Sequence, residues 1–382
     1  MSTTTQPTAL VYGPSYVRHL QPYLAGRPIS AVAREFSLEE SEIVKLASNE
    51  NPLGMPAGAR RAIEALAAAG SALYPDPDAH ALKTAIGEAL QVPRGWITVG
   101  NGSTELVEMA IRALVERGQS VVLSQYSFCL YQLAATSAGA RTIVVPAADF
   151  GHDLEAMLRA IEPDTRIVFV ANPNNPTGTF HEPERIREFL DRVPERVVVV
   201  LDEAYTEYLP EQQQTRVAEL VARHANLIVV RTFSKAYALA ALRIGFAVAQ
   251  EQLSGLLNRV RQAFNTSAFA QAAATAAIAD REFVARSRTV NSAGLAQLYP
   301  GLDRLRLPYL RSSGNFVLVR VGDGGRVFTR LLREGVIVRP VENYGLPEWL
   351  RVSVGTREQN ARLLQALGAI CSHGDRSDPV VA

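Results

Sequence analysis

The chain has 382 residues, of which 47% are hydrophobic and 20% charged, and a formal net charge of +1 at neutral pH. This length suits about two domains, and so small a net charge excludes a global field directed at nucleic acid or an anionic membrane. Cys129 and Cys371 are the only cysteines. Two thiols without a His-rich run suggest neither a disulfide framework nor a zinc site, so no metal is expected. The opening MSTTTQPTAL lacks a basic segment followed by an apolar one, and no apolar run approaches ~20 residues. The expectation is a cytoplasmic protein without a secretory signal, a membrane span or a nucleic-acid partner.

Taken in chain order, residues 1–50 show prolines, a basic-aromatic mixture and little regular pattern. From residue 96 short β-rich runs follow one another: WITVG (96–100), SVVLS (120–124), RTIVVP (141–146), RIVFVAN (166–172), RVVVVLDE (196–203), NLIVVRT (226–232) and IGFAVA (244–249). Several are apolar throughout, as strands buried on both faces are. Helical patterns separate most of them. STELVEMAIRALVERG has Ser103 and Thr104 as candidate caps and Gly118 as its stop. DLEAMLRAI starts at Asp153, EPERIREFL carries acids in its first turn, and AFAQAAATAAIAD reads as a packed helix. This alternation predicts an α/β domain with a mostly parallel sheet. From about residue 290 NFVLVRV, GVIVRPV and LRVSVG alternate with helices, as in a smaller α+β unit, and SHGDRSDPVVA reads as a frayed tail.

Four strand ends carry chemistry. GNGSTEL (100–106) opens a helix after a strand, and free N–H groups at a helix start bind anions. Glu105 stands where a GxGxxG fingerprint needs glycine, so a dinucleotide fold gains no support. ANPNNPTGT (171–179) is a polar, irregular loop where α/β sheets place ligands. Asp202 follows a run of apolar residues in VVVVLDEAY, a costly place for a carboxylate without a cation. RTFSKAYALAALRIG puts Lys235 beside Thr232 and Ser234 at a strand end, with Arg243 eight residues later. Each has a plainer reading as a turn, a cap, a loop or an ion pair, and a lone lysine is usually solvated.

In this order the motifs resemble the pyridoxal-phosphate (PLP) aminotransferases of fold type I. The likeness runs from LASNENPLG (46–54) and YPDPDAHALK (74–83) to LRVSVGTREQN (350–360), and is strongest to the histidinol-phosphate aminotransferases. It implies an N-terminal arm over 1–50 with part of the small domain, a large PLP-binding domain over 51–288, a small domain over 289–372 and a tail over 373–382. It also implies a site. Lys235 would be the covalent anchor of PLP and the proton-transfer group. Asp202 would pair with the ring nitrogen, Asn175 and Tyr205 would bond the phenolic oxygen, and Tyr126 would stack on the ring. Ser103, Thr104, Thr232, Ser234 and Arg243 would hold the phosphate. Tyr74 would reach the phosphate of the neighbouring subunit of a homodimer with shared sites. Arg351 would grip an α-carboxylate, Arg339 and Tyr23 a substrate phosphate, and Asn49 would shape the substrate side.

The implied reaction transfers an amino group between histidinol phosphate and 2-oxoglutarate/glutamate in histidine biosynthesis. The alternatives are an aromatic (phenylalanine/tyrosine) aminotransferase, which shares almost every motif, and a PLP-dependent decarboxylase of a phosphorylated amino acid. A PLP-sensing regulator would need a DNA-binding domain, and the residues before 46 carry no basic helix-turn-helix pattern. Two departures from the family pattern bear on the site: Ala241 where glycine is usual, which would require a compatible backbone or a shifted Arg243, and Glu342 near Arg339, where a carboxylate would repel a dianionic substrate unless it points away.

Overall fold

A computed structural model describes residues 12–371 except Leu24 and Ser71; the sequence-predicted tail lies outside the described residues. Among the described residues thirteen strands are formed, of which β1 (Val44–Lys45) is a two-residue edge. The next seven make one sheet: β2 (Ile97–Gly100), β3 (Ser120–Ser124), β4 (Arg141–Val145), β5 (Thr165–Ala171), β6 (Val198–Asp202), β7 (Leu227–Thr232) and β8 (Gly245–Val248). They are ordered β2-β8-β7-β6-β5-β3-β4. All neighbours run parallel except at β8, which is antiparallel to both β2 and β7.

The apolar runs form strands because helices cover both faces of this sheet. Successive side chains of one strand enter opposite layers. Val168, Val170, Val199 and Leu201 join one core with the Ala268–Ala279 helix. Ile167, Phe169, Val198 and Val200 join the other with the Gly102–Leu114 helix. The carboxyl ends of β5, β6 and β7 therefore lie side by side, with Ala171 level with Asp202 and Asp202 level with Val230. This is the edge where such sheets bind ligands.

A second unit contains β9 (Tyr309–Leu310), β10 (Phe316–Arg320), β11 (Val336–Ile337), β12 (Arg339–Pro340) and β13 (Trp349–Ser353). Four of these form an antiparallel sheet in the order β12-β13-β10-β9, while β1 pairs with β11. The helix Arg281–Arg304 joins the two units, so the 288/289 division falls inside one continuous helix.

Two local expectations differ from the structure. Residues 29–36 form a helix where no regular pattern was read: Pro28 pre-sets its start, and Val32 and Ala33 bury against Leu332 and Ile337. The helix after β2 begins at Gly102 (φ +77°) and ends at Leu114, with no side-chain cap at Asn101. Ser103 and Thr104 are thus inside its first turn rather than at the cap, and the first-turn N–H groups are left for another acceptor.

Candidate active site

One pocket lies at the ends of β5, β6 and β7 and under β12 and β13. Its walls include Lys235, Asp202, Tyr205, Asn175, Ser103, Thr104, Thr232, Ser234 and Arg243 from the large unit. Tyr23 and Asn49 come from the N-terminal segment, and Arg339 and Arg351 from the small unit. Thirteen of the sequence-derived candidates are therefore brought together; Tyr126 and Tyr74 are not among the lining residues.

Lys235 follows β7 and is half-buried, with Nζ donating to the Ser48 carbonyl at 2.9 Å and standing 5.9 Å from the Tyr205 ring. Burial first, then the Arg351 and Arg243 charges, lower its pKa from 10.5 to about 7, against the opposing pull of Glu50 and Asp202. The chain has only three lysines. Lys45 pairs with Glu50 and Lys83 with Asp78, whereas Lys235 forms no salt bridge among the described residues.

Asp202 ends β6, buried, with Oδ2 accepting from the Tyr131 hydroxyl at 2.6 Å and Oδ1 from the Ala204 N–H at 3.0 Å. Burial raises its pKa, and these two donors oppose the rise. Tyr131 is held by stacking on Phe169, centroids 4.8 Å apart. A buried carboxylate supported in this way favours a cation in front of it.

On the substrate side, β12 and β13 place Arg339 directly opposite Arg351. Like charges across a strand pair are unfavourable, and neither guanidinium has a carboxylate partner within 4 Å among the described residues. Arg351 is buried, donating to Asn175 Oδ1 at 2.5 Å and the Ala47 carbonyl at 2.7 Å, while its Nε has no hydrogen-bond partner among the described residues. Arg339 lies over the Tyr23 ring at 5.5 Å. At the opposite end Arg243 (φ +54°) donates to Ser234 Oγ at 3.2 Å and packs on Gly102, where an added Cβ would sit 2.4 Å from the guanidinium. Arg243, the two hydroxyls of Thr232 and Ser234, and the first-turn N–H groups of Ser103 and Thr104 make an anion cradle.

Both departures from the family pattern find a place. Ala241 is exposed in the 3-10 turn Ala240–Leu242 without a positive φ, so nothing there demands glycine. Glu342 does not line the Lys235 pocket; it is exposed on a neighbouring cavity that shares Tyr23, Gly26 and Arg339 with it.

The aromatic at the pocket is Phe128 rather than Tyr126. Tyr126 turns away, 5.6 Å from Phe150 and packed near Trp349. Phe128 immediately precedes the helix Cys129–Ser137, whose Tyr131 also faces the pocket. Tyr74 is 80% exposed and stacks on Phe264 at 4.4 Å, outside the pocket of its own chain. Asn49 touches Tyr205 rather than acting only on the substrate side, with Nδ2 donating to the Tyr205 hydroxyl at 2.9 Å. The sequence reading missed Phe128, Tyr131 and Ser353; Phe128 and Tyr131, three apart after a strand end, carry the one signal that would have found two of them.

The chain was compared with known proteins. Residues 41–367 match the family model "Aminotransferase class I and II". Histidinol-phosphate aminotransferase 2 of Ralstonia nicotianae is 58% identical over 94% of this chain and 97% of its own length. A protein of the same name from Pseudomonas aeruginosa is 47% identical, again over 94% and 97%. Among solved structures, histidinol-phosphate aminotransferase from Sinorhizobium meliloti in complex with pyridoxal-5'-phosphate superposes with a TM-score of 0.87 at 28% identity, covering 96% of this chain and 99% of that one. With its strand order, its strand-end lysine and aspartate and these matches, the chain belongs to the aminotransferase class I and II family, the PLP-dependent transferases of fold type I.

Proposed function

We propose that this chain is a histidinol-phosphate transaminase, exchanging an amino group between histidinol phosphate and the 2-oxoglutarate/glutamate pair. The observation that carries this reading is the Arg339–Arg351 pair, two guanidiniums without carboxylate partners at the open side of the Lys235 pocket. One arginine suffices for a carboxylate; a second beside it suits a dianionic phosphate and has no use with a phenylalanine side chain.

The residues present fit PLP. Its phosphate suits the cradle of Arg243, Thr232, Ser234 and the helix start at Ser103 and Thr104. Asp202 is the buried anion for a ring nitrogen, and Asn175 and Tyr205 are donors for a phenolic oxygen. Bound there, PLP supplies an electron sink for the bond to the departing proton. Lys235 Nζ, with its lowered pKa, would accept that proton from the amino-bearing carbon and hand it back on the other side of the transfer. Arg351 would hold the carboxylate of glutamate and, with Arg339 and Tyr23, the phosphate of histidinol phosphate. Phe128 would take the ring-stacking place. We keep the division into an arm, a large domain over 51–288 and a small domain over 289–372.

The same reading makes the protein a cytoplasmic homodimer. Leu73 (89% exposed) and Tyr74 (80%), with Phe264 stacked on Tyr74, form an apolar patch suited to cover by a second copy, whose site Tyr74 would enter. Arg339→Gln tests the substrate. It should lower kcat/KM for histidinol phosphate by about 10- to 100-fold, the worth of a charged hydrogen bond, while glutamate changes little. Equal losses for the two substrates would refute the assignment.

A further inference from the structure

Strand β13 carries Arg351 and Ser353 two residues apart, hence on one face. Ser353 is buried and is not among the residues that line the Lys235 pocket. Its hydroxyl accepts from the Asn49 backbone N–H at 2.7 Å and donates to Asn49 Oδ1 at 3.0 Å. Asn49, in turn, donates from Nδ2 to the Tyr205 hydroxyl at 2.9 Å. Asn49 is itself locked, with φ +54° and its carbonyl accepting from Asn315 Nδ2 at 2.9 Å.

We propose that Ser353 is a positioning residue that, acting through the Asn49 amide, makes Tyr205 a donor into the pocket. The inference rests on PLP occupying that pocket. A phenol has one proton and also accepts. With the Asn49 Nδ2–H already on its accepting side, the Tyr205 proton points elsewhere, and the open direction is the pocket. If the Asn49 amide were turned over, Oδ1 would face Tyr205 and take that proton. Ser353 disfavours the turned amide, because its own proton would then lose its acceptor in a buried place. The accepted N–H also polarises the phenol and strengthens its donation.

Arg351 treats Asn175 in the same way, occupying Oδ1 and leaving Nδ2 for the pocket. Both donors for a phenolic oxygen are thus oriented from one strand of the small unit. Lys235, Asp202, Arg351, Tyr23, Tyr131 and Tyr208 are the charged or titratable groups around Tyr205, and among the described residues the Ser353 hydroxyl bonds to none of them but to Asn49.

The test is a pH titration of the visible absorption of the PLP-loaded enzyme, without substrate. A donor on the phenolic oxygen lowers the midpoint at which the neighbouring nitrogen holds its proton, so weakening the donor raises it. Ser353→Ala should move the midpoint up by about half to one pH unit, the scale of one neutral hydrogen bond. Ser353→Thr, which keeps the hydroxyl, should restore it. In a Tyr205→Phe background Ser353→Ala should add no further shift. Asn49→Gly, compatible with the positive φ, removes the same relay and should shift the midpoint as Ser353→Ala does, which decides the matter if the latter fails to fold. An unchanged midpoint in a loaded variant, or an equal shift with and without the Tyr205 hydroxyl, would overturn the proposal and leave Ser353 a structural tie. No amino substrate is added, so failure of the histidinol-phosphate assignment would not register in this experiment.

Discussion

Lys235 offers a test that needs neither cofactor nor substrate. In the cofactor-free protein its pKa is about 7 rather than 10.5. At pH 7 half of it is then the neutral, nucleophilic amine, against about three parts in ten thousand for an ordinary lysine, a factor of about 1,600. The causes are burial and the two nearby guanidiniums of Arg351 and Arg243. The assay is the pH dependence of reductive alkylation at each lysine, followed by peptide mass spectrometry. The count of three makes every site resolvable, and Lys45 and Lys83 stand in ion pairs as internal references. Lys235 should label with a midpoint near 7, and Arg351→Gln should move that midpoint up by removing one repelling charge. A midpoint near the ordinary lysine value of 10.5 would refute the electrostatic origin of the shift.

Three further perturbations probe other parts. Gly102→Ala puts a Cβ 2.4 Å from the Arg243 guanidinium at φ +77°; it should weaken PLP affinity by about tenfold or more in equilibrium dialysis, through strain and a displaced arginine. Phe128→Ala should raise the PLP dissociation constant by about three- to tenfold, on the scale of an aromatic contact, whereas Tyr126→Ala should leave it within twofold; the reverse ranking would return Tyr126 to the site. Glu207 is buried with neither carboxylate oxygen bonded, and burial, opposed by Arg231, raises its pKa from 4.5 to about 7. Here folding favours the neutral acid, so the contribution of Glu207 is greatest below pH 4.5 and is lost as pH rises towards 7. Glu207→Gln should therefore stabilise the protein at pH 8 by about 3 kcal/mol and little at pH 4, by urea unfolding.

Much of this architecture is readable before any coordinates, because its strands are buried on both faces and their composition reflects little else. RIVFVAN and NLIVVRT could hardly be surface segments, and three residues beyond their ends stand Asn175 and Lys235, which the sheet order brings to one pocket. Other features depend on phase and on contacts across the chain. Tyr126 and Phe128 are two residues apart in one turn, and only the geometry of that turn decides which ring faces the pocket. The helix Ile29–Phe36 is held by its contacts with Leu332 and Ile337, some three hundred residues later, so its own short pattern does not announce it. The reversed direction of β8 follows from its place between β7 and β2, which no local pattern encodes. The Ser353–Asn49–Tyr205 relay joins three separate segments through side chains that look ordinary in the sequence.

Transamination of histidinol phosphate in the Lys235 pocket can be followed without a second substrate. The most direct measurement mixes the PLP-loaded enzyme with histidinol phosphate alone, in single turnover, and follows the cofactor absorption together with the keto product by mass spectrometry. One equivalent of histidinol phosphate should be converted to its 2-oxo product per site, a conversion abolished by Lys235→Ala, with phenylalanine reacting far more slowly. Rapid turnover of phenylalanine with no response to histidinol phosphate would contradict the assignment.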